Sequence, residues 1–283
     1  MPYPTPALDA AAALVGLVFG SFLNVCIVRL PRHESIVRPR SHCTGCGTLI
    51  RWYDNIPLIS YALLGGRCRS CRHRISPHYP IVELLSAGLW VAVVNEFGLS
   101  LASVKWVLFG MVMVILIFTD FRDRLLPHSV TITGIALGLV FSLFVPVNDF
   151  LLEWVVGRLG LSAESRLVSL AAAVAGGIFG GGLLYVVAKG FERFGDPEKE
   201  YLGFGDVMIM LLAGVFLGIP RTYVAILAGS LLGSLIAVPL TLAGRRFRSY
   251  PWPFGSFLGI GSILAGFQGQ ALLEGYLRWS GFK

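Results

Sequence analysis

The sequence predicts an all-α, polytopic membrane protein of about eight transmembrane helices, with a small polar domain inserted after the first. Three observations predict it. Of 283 residues, 55% are apolar and 34 more are glycine. Only 14% are charged, against about 25% in soluble domains. The mean hydropathy is +0.73, and the apolar residues fall in long unbroken runs, not in the alternating segments of about ten residues that build a membrane barrel. Disorder, a disulfide-stapled secreted module and an ordinary soluble globule are excluded on these grounds.

A helix needs about 20 residues to cross the hydrocarbon core. The runs that meet or approach this length are Leu8–Leu30, Ile81–Val94, Leu101–Phe118, Val130–Val147, Leu167–Ala188, Val207–Leu217, Tyr223–Ala243 and Phe254–Tyr276. The second and sixth are short, and the second can extend back through Pro80. No basic residue precedes the first run, Arg29 follows it, and no A-x-A site ends it, so it reads as a retained helix and not a cleaved signal. The expected organisation is residues 1–30 as the first transmembrane helix, 31–80 as a polar, Arg-rich domain, and 81–283 as a helical core. Segment 148–166, with Asp149, Trp154 and Glu164, reads as an amphipathic outer loop. Gly176, Gly177, Gly180, Gly181 and Gly182 read as a surface for close helix packing.

The net charge of +7 reports orientation, not a nucleic-acid partner. With the N-terminus outside the cytosol and the helices alternating, the inner loops 29–80, 121–128, 189–206 and 244–249 hold 17 of the 23 Lys and Arg residues. Basic residues stay in cytosolic loops, so the split supports both the helix count and the orientation, and places 31–80 in the cytosol.

Within that domain, Cys43-Thr-Gly-Cys46 and Cys68-Arg-Ser-Cys71 are two C-x-x-C turns separated by 21 residues. Each such turn offers two thiolates to one tetrahedral ion, and the spacing is close to that of four-cysteine zinc sites. Cys43, Cys46, Cys68 and Cys71 are therefore the candidate ligands of a structural Zn²⁺ in a zinc-ribbon-like loop. Gly45 and Gly47 suit the turns, and Arg67, Arg69, Arg72 and Arg74 favour thiolates. A loop of this size does not build its own core, so metal would supply folding energy. Two disulfides or free thiols are the plainer alternatives; a cytosolic setting disfavours disulfides. His42 and His73 adjoin the turns as substitute ligands, and the fifth cysteine, Cys26, reads as packing.

Two carboxylates fall at the cytosolic boundary of the bilayer. One is Asp120, at the end of Ile117-Phe118-Thr119-Asp120; the other is Asp206, in Gly203-Phe204-Gly205-Asp206. Carboxylates there are costly and point to function. If the fold joins them, one keeps a proton as acid while the other is base to a water, the chemistry of aspartic proteases. The glycines before Asp206 would let a substrate strand approach. The alternative is that each caps a helix or pairs with arginine, as Asp123 between Arg122 and Arg124 suggests.

The order of motifs resembles the type 4 prepilin peptidase family, bifunctional leader peptidases and N-methyltransferases of bacterial inner membranes. The matching pieces are Gly20-Ser-Phe-Leu-Asn24-Val, Arg29-Leu-Pro31, the four cysteines with Asp54-Asn55-Ile56-Pro57-Leu58-Ile59-Ser60, Tyr79-Pro80-Ile-Val-Glu83-Leu-Leu, Thr119-Asp120 with Leu126-Pro127, Gly203-Phe-Gly205-Asp206, and Pro253-Phe254-Gly255. They cover nearly the whole chain. The resemblance implies a G-x-G-D aspartic protease with Asp120 and Asp206 as its catalytic pair. Its substrates would be type IV prepilins and type II secretion pseudopilins, cut on the cytosolic side after a glycine. The new N-terminal amine would be methylated from S-adenosylmethionine, and Glu83, beside the cysteine loop, becomes a candidate for that second reaction. No glycine-rich Rossmann signature marks a donor site. The alternative is a peptidase alone, with the zinc loop as substrate clamp. Acidic residues Glu192, Asp196, Glu198 and Glu200 either attract a basic leader or form a solvated loop. Three positions depart from the family's pattern: His128 stands where Asp is usual, Met208 where Lys is usual, and Ser256 where Pro is usual.

Overall fold

The computed structural model describes residues 5–158, 160, 166–194, 202–244 and 252–281. Nine helices are named among them: α1 (Pro6–Arg29), α2 (Ile59–Leu63), α3 (His78–Phe97), α4 (Leu101–Asp123), α5 (His128–Ser142), α6 (Phe150–Arg158), α7 (Arg166–Phe194), α8 (Phe204–Ala243) and α9 (Phe254–Trp279). Six are long and apolar enough to cross a membrane, and α5 is a shorter apolar helix. Their outer faces carry large apolar side chains, among them Leu14, Val18, Ile178, Val186, Leu231 and Leu235, a surface that suits lipid and not water. The chain divides into two compact units, Met1–Ile115 and Leu116–Lys283.

In the first unit, α1 starts on Thr5, whose hydroxyl accepts the Leu8 N–H at 3.3 Å, with Pro6 in the first helical turn, where its missing N–H costs nothing. α1 and α3 run antiparallel and very close. A methyl added at Gly16 would stand 2.7 Å from Ala87 Cα, and one at Gly20 would stand 2.7 Å from Glu83 Cα. Glycines four apart open one helix face to a neighbouring backbone. One turn farther along, Asn24 Nδ2 donates to Tyr79 O at 3.0 Å, and Phe19 stacks on Trp90.

In the second unit, α8 is 40 residues long and bends at Gly218, whose φ is +73°. The bend is a fold-back. A methyl on Gly255 would lie 3.0 Å from Ile209 Cδ1, and one on Gly233 would lie 3.2 Å from Phe257 Cδ2. A straight helix would hold residues 209 and 233 about 36 Å apart, yet both meet the first turn of α9. The two limbs match the separate spans expected at Val207–Leu217 and Tyr223–Ala243, which brings the crossings to about eight. Pro220 sits in the first turn of the second limb, where it breaks no hydrogen bond. Asp149, 1% exposed, braces the turn. Its Oδ2 accepts the Ile219 N–H at 2.7 Å, while its Oδ1 takes the Leu151 and Leu152 N–H groups at the start of α6.

The glycine face of α7 packs on the first limb of α8. A methyl at Gly176 would meet Gly214 O at 2.3 Å, and one at Gly180 would meet Met210 O at 2.4 Å; Gly177 and Gly181 face Val215 and Leu211, whereas Gly182 faces open space. Segment 148–166 contains α6; Glu164 lies outside the described residues, as does most of loop 244–249.

Candidate active site and metal centre

Three helix ends of the second unit meet at one place. Asp120 is on the last turn of α4, Asp206 is the third residue of α8, and Gly255 and Ser256 are in the first turn of α9. Although 86 positions separate the two aspartates, a methyl placed on Gly255 would stand 2.7 Å from Asp206 Oδ1 and 3.1 Å from Asp120 Oδ2. Both lengths run from one point, so the two oxygens lie no farther apart than their sum. Each aspartate is nearly buried, at 7% and 8% exposure.

Local sequence explains the convergence. Gly259 leaves room for Ile117, whose Cγ1 would be 2.6 Å from a methyl at that position, so α9 lies against the end of α4. The Ser256 N–H donates to Asp120 Oδ2 at 2.6 Å, and the Ser256 hydroxyl donates to the same oxygen at 2.8 Å. Sequence reading marked Ser256 only as a departure from the family's proline. Proline has neither of those donors, so the departure supplies both contacts. Asp206 is not the cap of α8; Gly203 holds that position. Asp123 does take the pairing role, at 3.6 Å from Arg122 Nε. Of the glycines expected to admit a substrate strand, Gly205 is filled from within the chain, since a methyl there would sit 2.3 Å from Leu126 Cδ1, while around Gly203 only Gly205 N and Asp206 Oδ2 come within 4 Å, both at 3.9 Å. His128 starts α5 with its ring 6.4 Å from that of Phe204.

In the first unit, Cys43, Cys46, Cys68 and Cys71 come together with their sulfurs all within 4.8 Å of one another, a cluster that could hold a metal ion. The two C-x-x-C turns are built alike. Single antiparallel bridges, His42 to Leu49 and Arg67 to Arg74, close each one. Cys43 and Cys68 donate their N–H groups to Thr48 O at 2.9 Å and His73 O at 2.8 Å. Gly47 and Arg72 occupy the matching left-handed positions, at φ +72° and +60°. Gly45 is needed for approach and not for φ: a methyl there would be 2.7 Å from His73 Cγ.

The electrostatics of the cluster correct one expectation. The Thr48 hydroxyl first, and its N–H second, hold the Cys46 thiol at about 6; the N–H groups of Cys71 and Ser70 hold Cys68 below the ordinary thiol range. The Thr48 hydroxyl and backbone N–H groups do the work assigned to the arginines. Arg69 is turned to Asp54, with Nη2 2.6 Å and Nε 2.9 Å from its two oxygens, and this pairing holds the Asp54 carboxyl below the usual carboxylate range. Cys71 receives the His73 N–H, yet the neighbouring sulfurs, Cys46 foremost, push it up to about 12. A metal ion among the four sulfurs would supply the opposing charge that lets all of them ionise. His42 and His73 are not members of the cluster among the described residues.

Glu83, 8% exposed on α3, accepts the Leu58 N–H through Oε2 at 2.8 Å. Leu58 has φ +58°, a strained conformation for a residue with a side chain, and it is the N-cap of α2. Glu83 therefore ties the cysteine-bearing loop to a membrane helix.

Comparison with known proteins assigns the chain to a family. The profile described as Bacterial Peptidase A24 N-terminal domain matches residues 14–97, and that described as Type IV leader peptidase family matches residues 106–238. A protein of Bacillus subtilis named prepilin leader peptidase/N-methyltransferase is 30% identical over 94% of this chain and 96% of its own length. Proteins of the same name from Xanthomonas campestris and Pseudomonas aeruginosa are 31% and 30% identical, over 96% and 95% of this chain and 96% and 93% of their own lengths. No solved structure matches. Matched by these profiles and by relatives aligned over nearly its whole length, the chain belongs to the type IV leader peptidase family.

Proposed function

We propose that this chain is an aspartic endopeptidase of the bacterial inner membrane. It removes the basic leader of type IV prepilins and type II secretion pseudopilins on the cytosolic side, and it then methylates the new N-terminal amine. The observation that carries the proteolytic reading is the meeting of Asp120 and Asp206 at Gly255. Two carboxyls that border one point can act as a pair, one charged and one holding a proton. The charged one takes a proton from water as the oxygen attacks the peptide carbonyl, and the neutral one gives its proton to the carbonyl oxygen. When the resulting diol collapses, the first proton passes to the departing nitrogen and a hydroxyl proton returns to the pair. The relatives' shared name, with both activities in it, supports the pairing of cleavage with N-methylation.

The distribution of Lys and Arg supports an N-terminus outside the cytosol and a cytosolic dyad. The organisation into residues 1–30, 31–80 and 81–283 stays part of this reading, with lipid around the helices and no nucleic acid as partner. Of the acidic residues near the leader's expected path, Glu192 is paired with Lys189 at 2.6 Å; Asp196, Glu198 and Glu200 lie outside the described residues.

Cys43, Cys46, Cys68 and Cys71 would hold one Zn²⁺, whose role is to fix the loop. Metal analysis of the purified protein is expected to give one zinc per chain. Stripping it, or the Cys43→Ser and Cys68→Ser pair, is expected to unfold residues 31–80, since structural zinc supplies about 10–16 kcal/mol of folding energy in small domains. Protease nicking confined to that loop is the readout; a zinc-free protein with an intact loop refutes the assignment. For the methyl donor, S-adenosylmethionine, the chain has no glycine-rich cradle, and Glu83 already commits one oxygen to Leu58, so no step is derived through it. That same contact favours a second reading, a peptidase whose loop clamps the substrate.

Mass spectrometry of a purified prepilin, incubated with the protein and S-adenosylmethionine, separates the readings. Leader loss with one added methyl on the mature chain supports both activities. Leader loss without methyl gain leaves the peptidase alone, and an intact prepilin refutes the proposal.

A further inference from the structure

We infer that Ser256 is a positioning residue that holds Asp120 in both of its protonation states, by turning one hydroxyl between two acceptors; the inference rests on the proteolytic reading above. The Ser256 oxygen is 2.8 Å from Asp120 Oδ2 and 3.0 Å from Ile117 O. A hydroxyl carries a single proton and can serve one of these at a time. The Ser256 N–H, at 2.6 Å from Oδ2, has no such freedom.

The two acceptors match what the reaction demands of Asp120. An aspartate in a proton-sharing pair is charged at one point of the cycle and neutral at another. When Asp120 is charged, N–H and O–H both point at Oδ2, and the carboxylate is held by two donors on one oxygen. When Asp120 carries the proton, the hydroxyl swings to the Ile117 carbonyl and its own lone pair becomes available to the acid. Ile117 is one turn before Asp120 on α4, so the alternative acceptor travels with the aspartate. Ser256 is 1% exposed, which keeps water from substituting for either partner. Both contacts fall on Oδ2, the same oxygen that approaches Asp206 at Gly255. No bond is made or broken by the serine; it keeps the carboxyl in register while the proton comes and goes.

The test compares Ser256→Ala and Ser256→Thr in the full-length protein, in detergent, with a purified prepilin as substrate. Removing the hydroxyl alone is expected to lower kcat about tenfold, as for loss of part of a reacting group's alignment, with KM unchanged because Ser256, 1% exposed, offers no surface to a substrate. Threonine keeps N–H and O–H and is expected to return kcat to within a fewfold of the parent. If threonine does not fit the site, the alanine result decides alone. A wild-type kcat in Ser256→Ala, or a rise in KM with kcat intact, overturns the inference. A failure of the underlying reading looks different: Asp120→Asn would then still cleave, whatever Ser256 does.

Discussion

Asp120→Asn and Asp206→Asn are each expected to stop leader cleavage, lowering kcat by about 10³-fold or more, the range spanned by loss of a general acid or base, while the protein stays folded in the membrane. Asparagine has the shape of aspartate but can neither carry the shared proton nor take one from water. In Asp120→Asn the amide oxygen still accepts from the Ser256 N–H, so the helix ends stay joined. In Asp206→Asn the first turn of α8 keeps its Gly203 cap. The readout is uncleaved prepilin by mass, beside unchanged detergent extraction and melting of the variant. The double variant should be no slower than either single one, because groups that act as a unit do not add. Normal cleavage by either variant would falsify the dyad. It would leave the aspartates as packing or ion-relay groups in a scaffold, the role such residues take in proteins without hydrolytic activity.

Much of this was legible because membrane proteins write their fold in long, coarse signals. Eight apolar runs sufficed for the long helices, α5 and the two limbs of α8, which Gly218 and Pro220 separate between Leu217 and Tyr223, but not for the short α2 and α6. The cysteines were legible because a C-x-x-C turn is local: four positions set the geometry of two sulfurs. The meeting of Asp120 and Asp206 was only partly legible. Charge bias puts both at one membrane face, but nothing in residues 117–120 or 203–206 says that they face each other. That fact lives in Gly255 and Gly259, whose missing side chains let α9 seat against α4 and α8, and a glycine's packing partner cannot be read from its neighbours in sequence. The same holds for Gly16 and Gly20 against α3. The arginines around the cysteines misled for a related reason: charge is conspicuous in a sequence, whereas the Thr48 hydroxyl that favours the Cys46 thiolate and the backbone N–H groups that favour the Cys68 thiolate are not. Ser256 stood out only as a departure, and its meaning needed the coordinates of Asp120.

Gly255→Ala is the smallest change expected to disable the site. The added carbon would lie 2.7 Å from Asp206 Oδ1, 3.1 Å from Asp120 Oδ2 and 3.0 Å from Ile209 Cδ1. The first of these is well inside ordinary carbon–oxygen contact, and the other two are tight as well. Ile209 is 0% exposed and packed, which leaves the carboxylates as the groups that yield. Pushing Asp206 aside parts it from Asp120, and pulling Asp120 away strains its two bonds from Ser256, on the very next residue. Backbone conformation is not the obstacle, since alanine favours a helix over glycine by about 1 kcal/mol, so the variant should melt no lower than the parent by much. The expected result is therefore a stable protein with kcat reduced about 100-fold, the penalty for misplacing reacting groups by about an ångström. The measurement is the cleavage rate on a prepilin alongside thermal melting. A stable Gly255→Ala protein that cleaves at the parental rate would mean the two carboxylates do not need to meet across that glycine.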